Sequence, residues 1–270
     1  MQLKDKVFFI GTGAMGSALI KGVIESDVLD SNHIYAYDVD NDKLNLVIET
    51  YNINRVDSIE EGVKISDITI IAVKPQHIKG VLEEINKVVK SSNLVISIAA
   101  GIGLRVLEKY LPGTPVVRIM PNTPAQIGYG ISAISPSSLV KKEDLEKVMK
   151  LFGSVGDTVI VDENLMDAVT GLSGSGPAYV FMIIEALSDA GVRMGLSRTI
   201  SLKLAAYTVR GAAEMIIQTG QNPEVLKEMV TSPHGTTIEG VYALEKNRVR
   251  FALMEAVEYA TIRSKELGEE

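Results

Sequence analysis

The first half of the chain alternates short apolar runs with stretches of helical periodicity. Val7-Phe-Phe-Ile10 runs into glycine, and Ile34-Tyr-Ala-Tyr37, Ile68-Thr-Ile-Ile-Ala-Val73, Leu94-Val-Ile-Ser-Ile98 and Val116-Val-Arg-Ile119 follow at intervals. Between them, 14–28 and 42–51 carry the 3.6-residue pattern of a helix. Ser58, with Glu61 three residues on, reads as a capping box that opens another. Continuous apolar strands separated by helices predict a parallel sheet covered on both faces. Ile131-Ser-Ala-Ile134 and Thr158-Val-Ile-Val161 read as added edge strands.

From about Asp162 the strand pattern stops. Residues 165–195 form a long, mostly apolar helical segment, broken early by Gly171-Leu-Ser-Gly-Ser-Gly-Pro177. Residues 197–219, 224–230, 237–245 and 251–267 read as further helices. The pattern therefore divides the chain into an α/β domain over 1–162 and an all-helical domain over 163–270. Segment 178–187 is nearly all apolar around the helix and must be buried on most sides. A domain of about a hundred residues has little room to surround it. A second copy of the chain is the expected cover, so at least a homodimer is expected.

Composition narrows the chemistry. Apolar residues make up 46% of the 270 positions and charged ones 23%, ordinary for a globular chain with a core. The 27 basic and 34 acidic side chains leave a net charge of −7, which argues against nucleic acid as a partner. There is no cysteine, which excludes disulfides, cysteine-ligated metals and a thiol nucleophile. His33, His77 and His234 are scattered without metal-ligand spacing, so no metal is expected. No apolar stretch reaches the roughly 18 residues of a membrane span. The apolar run after the charged start, Met1 to Lys6, is too short for a secretory signal. The expected location is the cytoplasm.

Gly11-Thr-Gly-Ala-Met-Gly16 ends the first strand and opens the first helix, the context a dinucleotide-binding loop requires. Gly11 permits the tight turn, Gly13 the approach of a pyrophosphate, and Gly16 close helix–strand packing. With Thr12, Ala14 and Met15 between them, the segment offers oriented N–H groups at a helix N-terminus. Asp38 ends the second strand, roughly 20 residues further on, where a carboxylate accepts from ribose hydroxyls and repels a 2′-phosphate. That position favours NADH; a solvated turn ending in a helix N-cap is the other reading of 38–42. Ala72-Val-Lys-Pro75 ends the third long strand on the same edge, and Lys74 stands where a cation could face the cofactor. His77 could touch a phosphate there or lie exposed in the loop.

Ser97-Ile-Ala-Ala-Gly101 and Met120-Pro-Asn-Thr-Pro124 end the next two strands and are natural walls for a nicotinamide and a substrate. In the helical half, Gly171 to Tyr179, with Ser175 and Gly176 at its centre, and Ser232-Pro-His-Gly-Thr-Thr237 each set N–H groups beside hydroxyls. That pairing suits a small carboxylate, though helix capping alone would also use it.

Taken together, Gly11 to Gly16, Ala72 to Pro75, Arg118-Ile-Met-Pro-Asn-Thr-Pro-Ala125, Gly171 to Tyr179 and Ser232 to Thr237 strongly resemble pyrroline-5-carboxylate reductase over nearly the whole chain. The resemblance implies an N-terminal Rossmann-like doubly wound sheet plus a C-terminal all-helical dimerisation domain, with dimers that often assemble into decamers. It implies hydride transfer from NAD(P)H to the C=N carbon of cyclic 1-pyrroline-5-carboxylate, giving L-proline as the last step of proline synthesis. By the same resemblance, Thr237 hydrogen-bonds the ring nitrogen, and Ser232, Gly235 and Thr236 help hold the carboxylate. Val73, Pro75, Ala99 and Asn122 line the nicotinamide pocket.

Two positions depart from the family. His234 stands where glycine is usual, and Tyr37-Asp38 stands where residues that accommodate the 2′-phosphate of NADPH are usual. The resemblance thus favours NADPH while Asp38 favours NADH. A β-hydroxyacid dehydrogenase shares the domain plan, and Gly171, Gly174 and Gly176 match its motif. Its catalytic lysine, however, would fall on Val180 and its asparagine on Ile184. A non-catalytic NAD(P)-binding dimer would keep the glycine loop but has no need for the hydroxyls of 232–237.

Overall fold

A computed structural model describes residues 2–269; Met1 and Glu270, the outer ends of the two expected domains, lie outside the described residues. The chain forms two compact units. One runs through Ser175 and takes in the chain from Tyr259 onward, and the other is Gly176–Glu258.

The first unit is built on an eight-stranded sheet: β1 (Val7–Ile10), β2 (Ile34–Tyr37), β3 (Asn54–Arg55), β4 (Ile68–Ile71), β5 (Leu94–Ser97), β6 (Val116–Met120), β7 (Gly130–Pro136) and β8 (Gly156–Ile160). Their order is β3-β2-β1-β4-β5-β6-β7-β8. Strands β1 to β6 are mutually parallel, β7 runs antiparallel to β6, and β8 is parallel to β7. The order reverses between β1 and β4, which opens a crevice at the carboxyl ends of those two strands. The doubly wound sheet is as expected. The two-residue strand β3, too short to show alternation, is an addition to the expected set.

The helices of this unit are α1 (Ala14–Glu25), α2 (Asn41–Tyr51), α3 (Ile59–Ile65), α4 (Ile78–Asn86), α5 (Leu104–Tyr110), α6 (Lys142–Gly153) and α7 (Met166–Val169). Side chains of a strand alternate between faces, and both faces are apolar here. Val7 and Phe9 of β1 pack with Leu19, Ile20 and Val23 of α1, and Leu151 and Phe152 of α6 join the same layer. Phe8 and Ile10 enter the opposite layer with Val63 of α3 and Leu82 and Ile85 of α4. Each such side chain contributes about 1.5–3 kcal/mol on burial. Ser58 caps α3 as expected, accepting from the Glu61 N–H at 3.2 Å. The return bond falls one residue early, on the Asp57 N–H at 2.9 Å.

The second unit holds α8 (Gly176–Arg193), α9 (Arg198–Thr219), α10 (Pro223–Met229), α11 (Thr236–Lys246) and the start of α12 (Val249–Glu269). Helices α8 and α9 are joined by a buried bond in which Ser201 Oγ donates to the Ser188 carbonyl at 2.6 Å. Little else is covered. Phe181 is 65% and Met182 73% exposed on α8, and Tyr207, Tyr242 and Phe251 are also exposed. The apolar face expected to need burial is therefore not buried by this chain. No helix among the described residues is long and apolar enough to cross a membrane.

Candidate active site

The carboxyl ends of the parallel strands are held level by backbone bonds that continue the ladder past the strand ends. The Gly11 N–H donates to the Tyr37 carbonyl at 2.8 Å, Ala72 N–H to Ile10 at 2.8 Å, and Ile98 N–H to Ile71 at 3.1 Å. Gly11 to Gly16, Asp38, Ala72 to Pro75 and Ala99 thus lie along one sheet edge, and Asn122 follows β6 at the same edge. The sequence motifs quoted for the cofactor are brought together there by parallel pairing alone.

The glycine loop meets the steric demands of a dinucleotide. Gly11 has φ +101°, and a Cβ there would lie 2.6 Å from the Ala72 carbonyl oxygen. A Cβ on Gly16 would run into the Gly11 carbonyl. At Gly13, by contrast, a Cβ would meet nothing within 4 Å, so it would project into the open space before α1. Gly13 is the N-cap of α1 and supplies no side-chain bond, which leaves the first N–H groups of Ala14, Met15 and Gly16 for a ligand. This cradle fits a pyrophosphate, held by the N–H groups of the helix start.

Thr12 behaves differently from its neighbours. It is 3% exposed. Its N–H donates to Asp38 Oδ2 at 2.6 Å and its hydroxyl to the same oxygen at 3.0 Å. Its carbonyl accepts from Ser17 Oγ at 2.7 Å. Asp38 Oδ1 accepts the Asp40 N–H at 2.9 Å. Asp40 in turn caps α2 and holds the Lys43 ammonium at 2.6 Å. That hydrogen bond keeps the Asp40 carboxyl below the usual carboxylate range and the Lys43 ammonium above its ordinary value.

The other edge residues vary in exposure. Val73 is half-buried, while Lys74 and Pro75 are exposed at the start of a short 3-10 turn that His77 ends. Ala99 is buried in the second core layer. Asn122 is bonded at both ends of its amide: its Oδ1 accepts the Ile131 N–H at 3.0 Å and its Nδ2 donates to the Ser173 carbonyl at 3.2 Å. The second bond has a covalent cause. Residue 177 is proline and has no N–H to return to the carbonyl four residues back, so Ser173 takes its donor from Asn122. The break expected in the long helix is a π-helical stretch over Thr170–Gly174, closed by the Ser175 N–H on the Thr170 carbonyl at 2.9 Å. Ser175 and Gly176 sit at the joint with α8. Single π turns inside α-helices recur at functional sites.

Arg118 and Glu163 form a pair that their separation in sequence conceals. Arg118 is an arginine in an otherwise apolar strand, 5% exposed, and a buried cation demands a carboxylate. Glu163 supplies it at 2.7 Å.

In the second unit, Ser232 to Thr237 forms a tight turn that runs into α11. The Gly235 N–H donates to the Ser232 carbonyl at 3.0 Å, Pro233 occupies the first central position, and His234 has φ +55°. Proline followed by a positive φ is a type II turn, which normally takes glycine or asparagine at the second place. Histidine holds it here. A Cβ on Gly235 would overlap Ser232 Oγ. Gly235 is the N-cap of α11 and makes no side-chain bond, so the N–H groups of Thr236 and Thr237 face outward from the first turn beside their own hydroxyls.

Two family models match separate stretches of the chain. Residues 163–267 match the family model for pyrroline-5-carboxylate reductase dimerisation, and residues 6–101 match that for NADP oxidoreductase, coenzyme F420-dependent. The chain is 47% identical to a pyrroline-5-carboxylate reductase of Methanosarcina acetivorans, over 98% of each chain. It is 46% identical to one of Arabidopsis thaliana, over 98% of this chain and 96% of that one. A crystal structure of the Plasmodium falciparum pyrroline carboxylate reductase with NADP bound superposes with a TM-score of 0.88 at 36% identity, covering 99% of this chain and 100% of that chain. With similarity of this strength running through both units, the chain belongs to the pyrroline-5-carboxylate reductase family.

Proposed function

We propose that the protein reduces the C=N bond of 1-pyrroline-5-carboxylate to give L-proline, using NAD(P)H. The observation that carries this reading is the near-full-length similarity to reductases of that name, which covers the glycine cradle and the hydroxyl-rich turn alike. The nicotinamide, when bound, supplies the hydride.

The chain's own task is to bind and orient two anions. Residues 1–162 take the dinucleotide, through the N–H groups of Gly13 to Gly16 and the walls Ala72, Val73, Lys74, Pro75, Ala99 and Asn122. Residues 163–270 take the substrate and a second copy of the chain. The outward N–H groups at Thr236 and Thr237, with Ser232 and Gly235, suit the substrate carboxylate, and Ser175 and Gly176 offer a second such corner. Thr237 orients the imine nitrogen. An imine accepts hydride most readily once protonated, and a neutral hydroxyl can hold that nitrogen without adding charge. The exposed apolar faces of α8, α9 and α12 support homodimerisation.

NADH is the preferred form by this reading. Asp38 lies at the ribose end and Lys43, the cation beside it in sequence, is committed to Asp40. A 2′-phosphate would meet uncompensated carboxylate there. The test is to mix the purified protein with 1-pyrroline-5-carboxylate and each cofactor in turn. Oxidation of NADH with formation of proline is the expected result. A folded sample inert with both cofactors rules the reading out.

A further inference from the structure

Asp38 is held by its own chain before any ligand arrives. A carboxylate offers about four acceptor positions. Three are filled here, two on Oδ2 by the Thr12 N–H and hydroxyl and one on Oδ1 by the Asp40 N–H. The vacant position is on Oδ1. The side chain is therefore fixed in one orientation with a single acceptor site left for a ribose hydroxyl. A group already fixed loses no rotamer freedom on binding.

Thr12 has nothing left to give a phosphate. Its N–H and hydroxyl are spent on Asp38, its carbonyl is taken by Ser17 Oγ, and its side chain is buried. Both of its donors are committed to a single acceptor atom within the chain. Whatever it does for the cofactor, it does through Asp38.

We infer that Thr12 is a positioning residue for cofactor choice: its hydroxyl locks the Asp38 carboxylate in the orientation that accepts a ribose hydroxyl and excludes a 2′-phosphate. This rests on the assignment of Asp38 to the ribose. The hydroxyl is the separable part of the lock, because the backbone N–H survives any substitution except proline. Removing it leaves two of the three bonds that hold the carboxylate and loosens its orientation, which weakens the contact with a ribose hydroxyl and relaxes the exclusion of a phosphate at the same point.

The experiment measures NADH and NADPH dissociation constants from the cofactors' own fluorescence, since the chain has no tryptophan. The full-length wild type is compared with Thr12→Val, Thr12→Ala, Thr12→Ser and Asp38→Ser. Loss of the hydroxyl in Thr12→Val should weaken NADH by about 5- to 20-fold and leave NADPH within about twofold or tighter. Thr12→Ala repeats the measurement should the valine variant fold poorly, and Thr12→Ser should restore the wild-type ratio. A purely structural role would weaken both cofactors alike, and that result overturns the inference, as does an unchanged ratio in both variants lacking the hydroxyl. If Asp38→Ser shifts the ratio while Thr12→Val does not, Thr12 is dismissed and the ribose assignment stands. If Asp38→Ser leaves the ratio unmoved, the ribose assignment itself fails and takes the inference with it.

Discussion

The guanidinium of Arg118, buried in β6, lies 2.7 Å from Glu163 Oε1, and the same oxygen accepts the Leu104 N–H at 2.9 Å. One carboxylate thus neutralises a buried cation and caps the start of α5. It also ties the first turn after the sheet to its sixth strand. Glu163→Ala leaves the Arg118 charge buried without its partner. The expected loss is about 2–4 kcal/mol, read as a lowered denaturant midpoint. A variant as stable as the wild type would show that water substitutes fully for the carboxylate.

Thr237→Ala should lower turnover by about 10- to 100-fold with little change in the NADH dissociation constant, because its hydroxyl is assigned to the imine and not to the cofactor. Steady-state kinetics with a fluorescence titration separates the two. An unchanged turnover number removes Thr237 from the mechanism.

Asn122→Ala strips two backbone groups of their partners, the Ile131 N–H and the Ser173 carbonyl. About 1–3 kcal/mol of stability should be lost for each that stays dry. Since Ser173 belongs to the π-helical stretch beside Ser175 and Gly176, the KM for 1-pyrroline-5-carboxylate should rise as well. Thermal melts and substrate titration check both, and a stability loss with an unchanged KM would confine Asn122 to the fold.

Phe181→Glu places a charge on an exposed apolar face of α8. Sedimentation should show a homo-oligomer for the wild type and a smaller species for the variant. If the two sediment alike, that face is not where copies meet.

The Lys147 ammonium lies 2.6 Å from Asp5, and this hydrogen bond, opposed by partial burial, raises it above its ordinary 10.5. Asp144 and Asp67 add to the rise. A folded value above the unfolded one means the contribution is complete below about pH 10 and is lost as pH climbs through the folded value. Lys147→Met should therefore be less stable than the wild type by about 1 kcal/mol at pH 8. Denaturant midpoints followed toward pH 11 should converge, and a gap that stays constant would deny the ion pair its role.

Much of the fold was legible because its signals are local. The strands β1, β2, β4, β5 and β6 are short, mostly apolar runs, and the doubly wound sheet follows from their alternation with helices. The capped start of α3 and the glycine loop rest on spacings of a few residues, which a linear reading resolves. The family motifs likewise lie within short windows, so the reaction could be proposed before any coordinate. The exposed faces of α8 and its neighbours were foreshadowed by an apolar pattern too broad for one chain to cover.

The pairing of distant polar groups emerges only on folding. Thr12 meets Asp38 across 26 residues, Arg118 meets Glu163 across 45, and Asn122 meets Ser173 across 51. Composition and periodicity carry no information about such pairs. The parallel pairing of β1 with β2 brings the first pair within reach, the other two join β6 and the loop after it to turns beyond β8, and the cost of leaving a buried polar group unpaired then selects among the groups at hand. A glycine cradle, an acid at the end of β2 and a hydroxyl-rich turn before α11 are all legible along the chain. Only the folded chain decided that the acid is clamped by the loop it follows, and that the bend before α8 is held by an asparagine from the loop after β6.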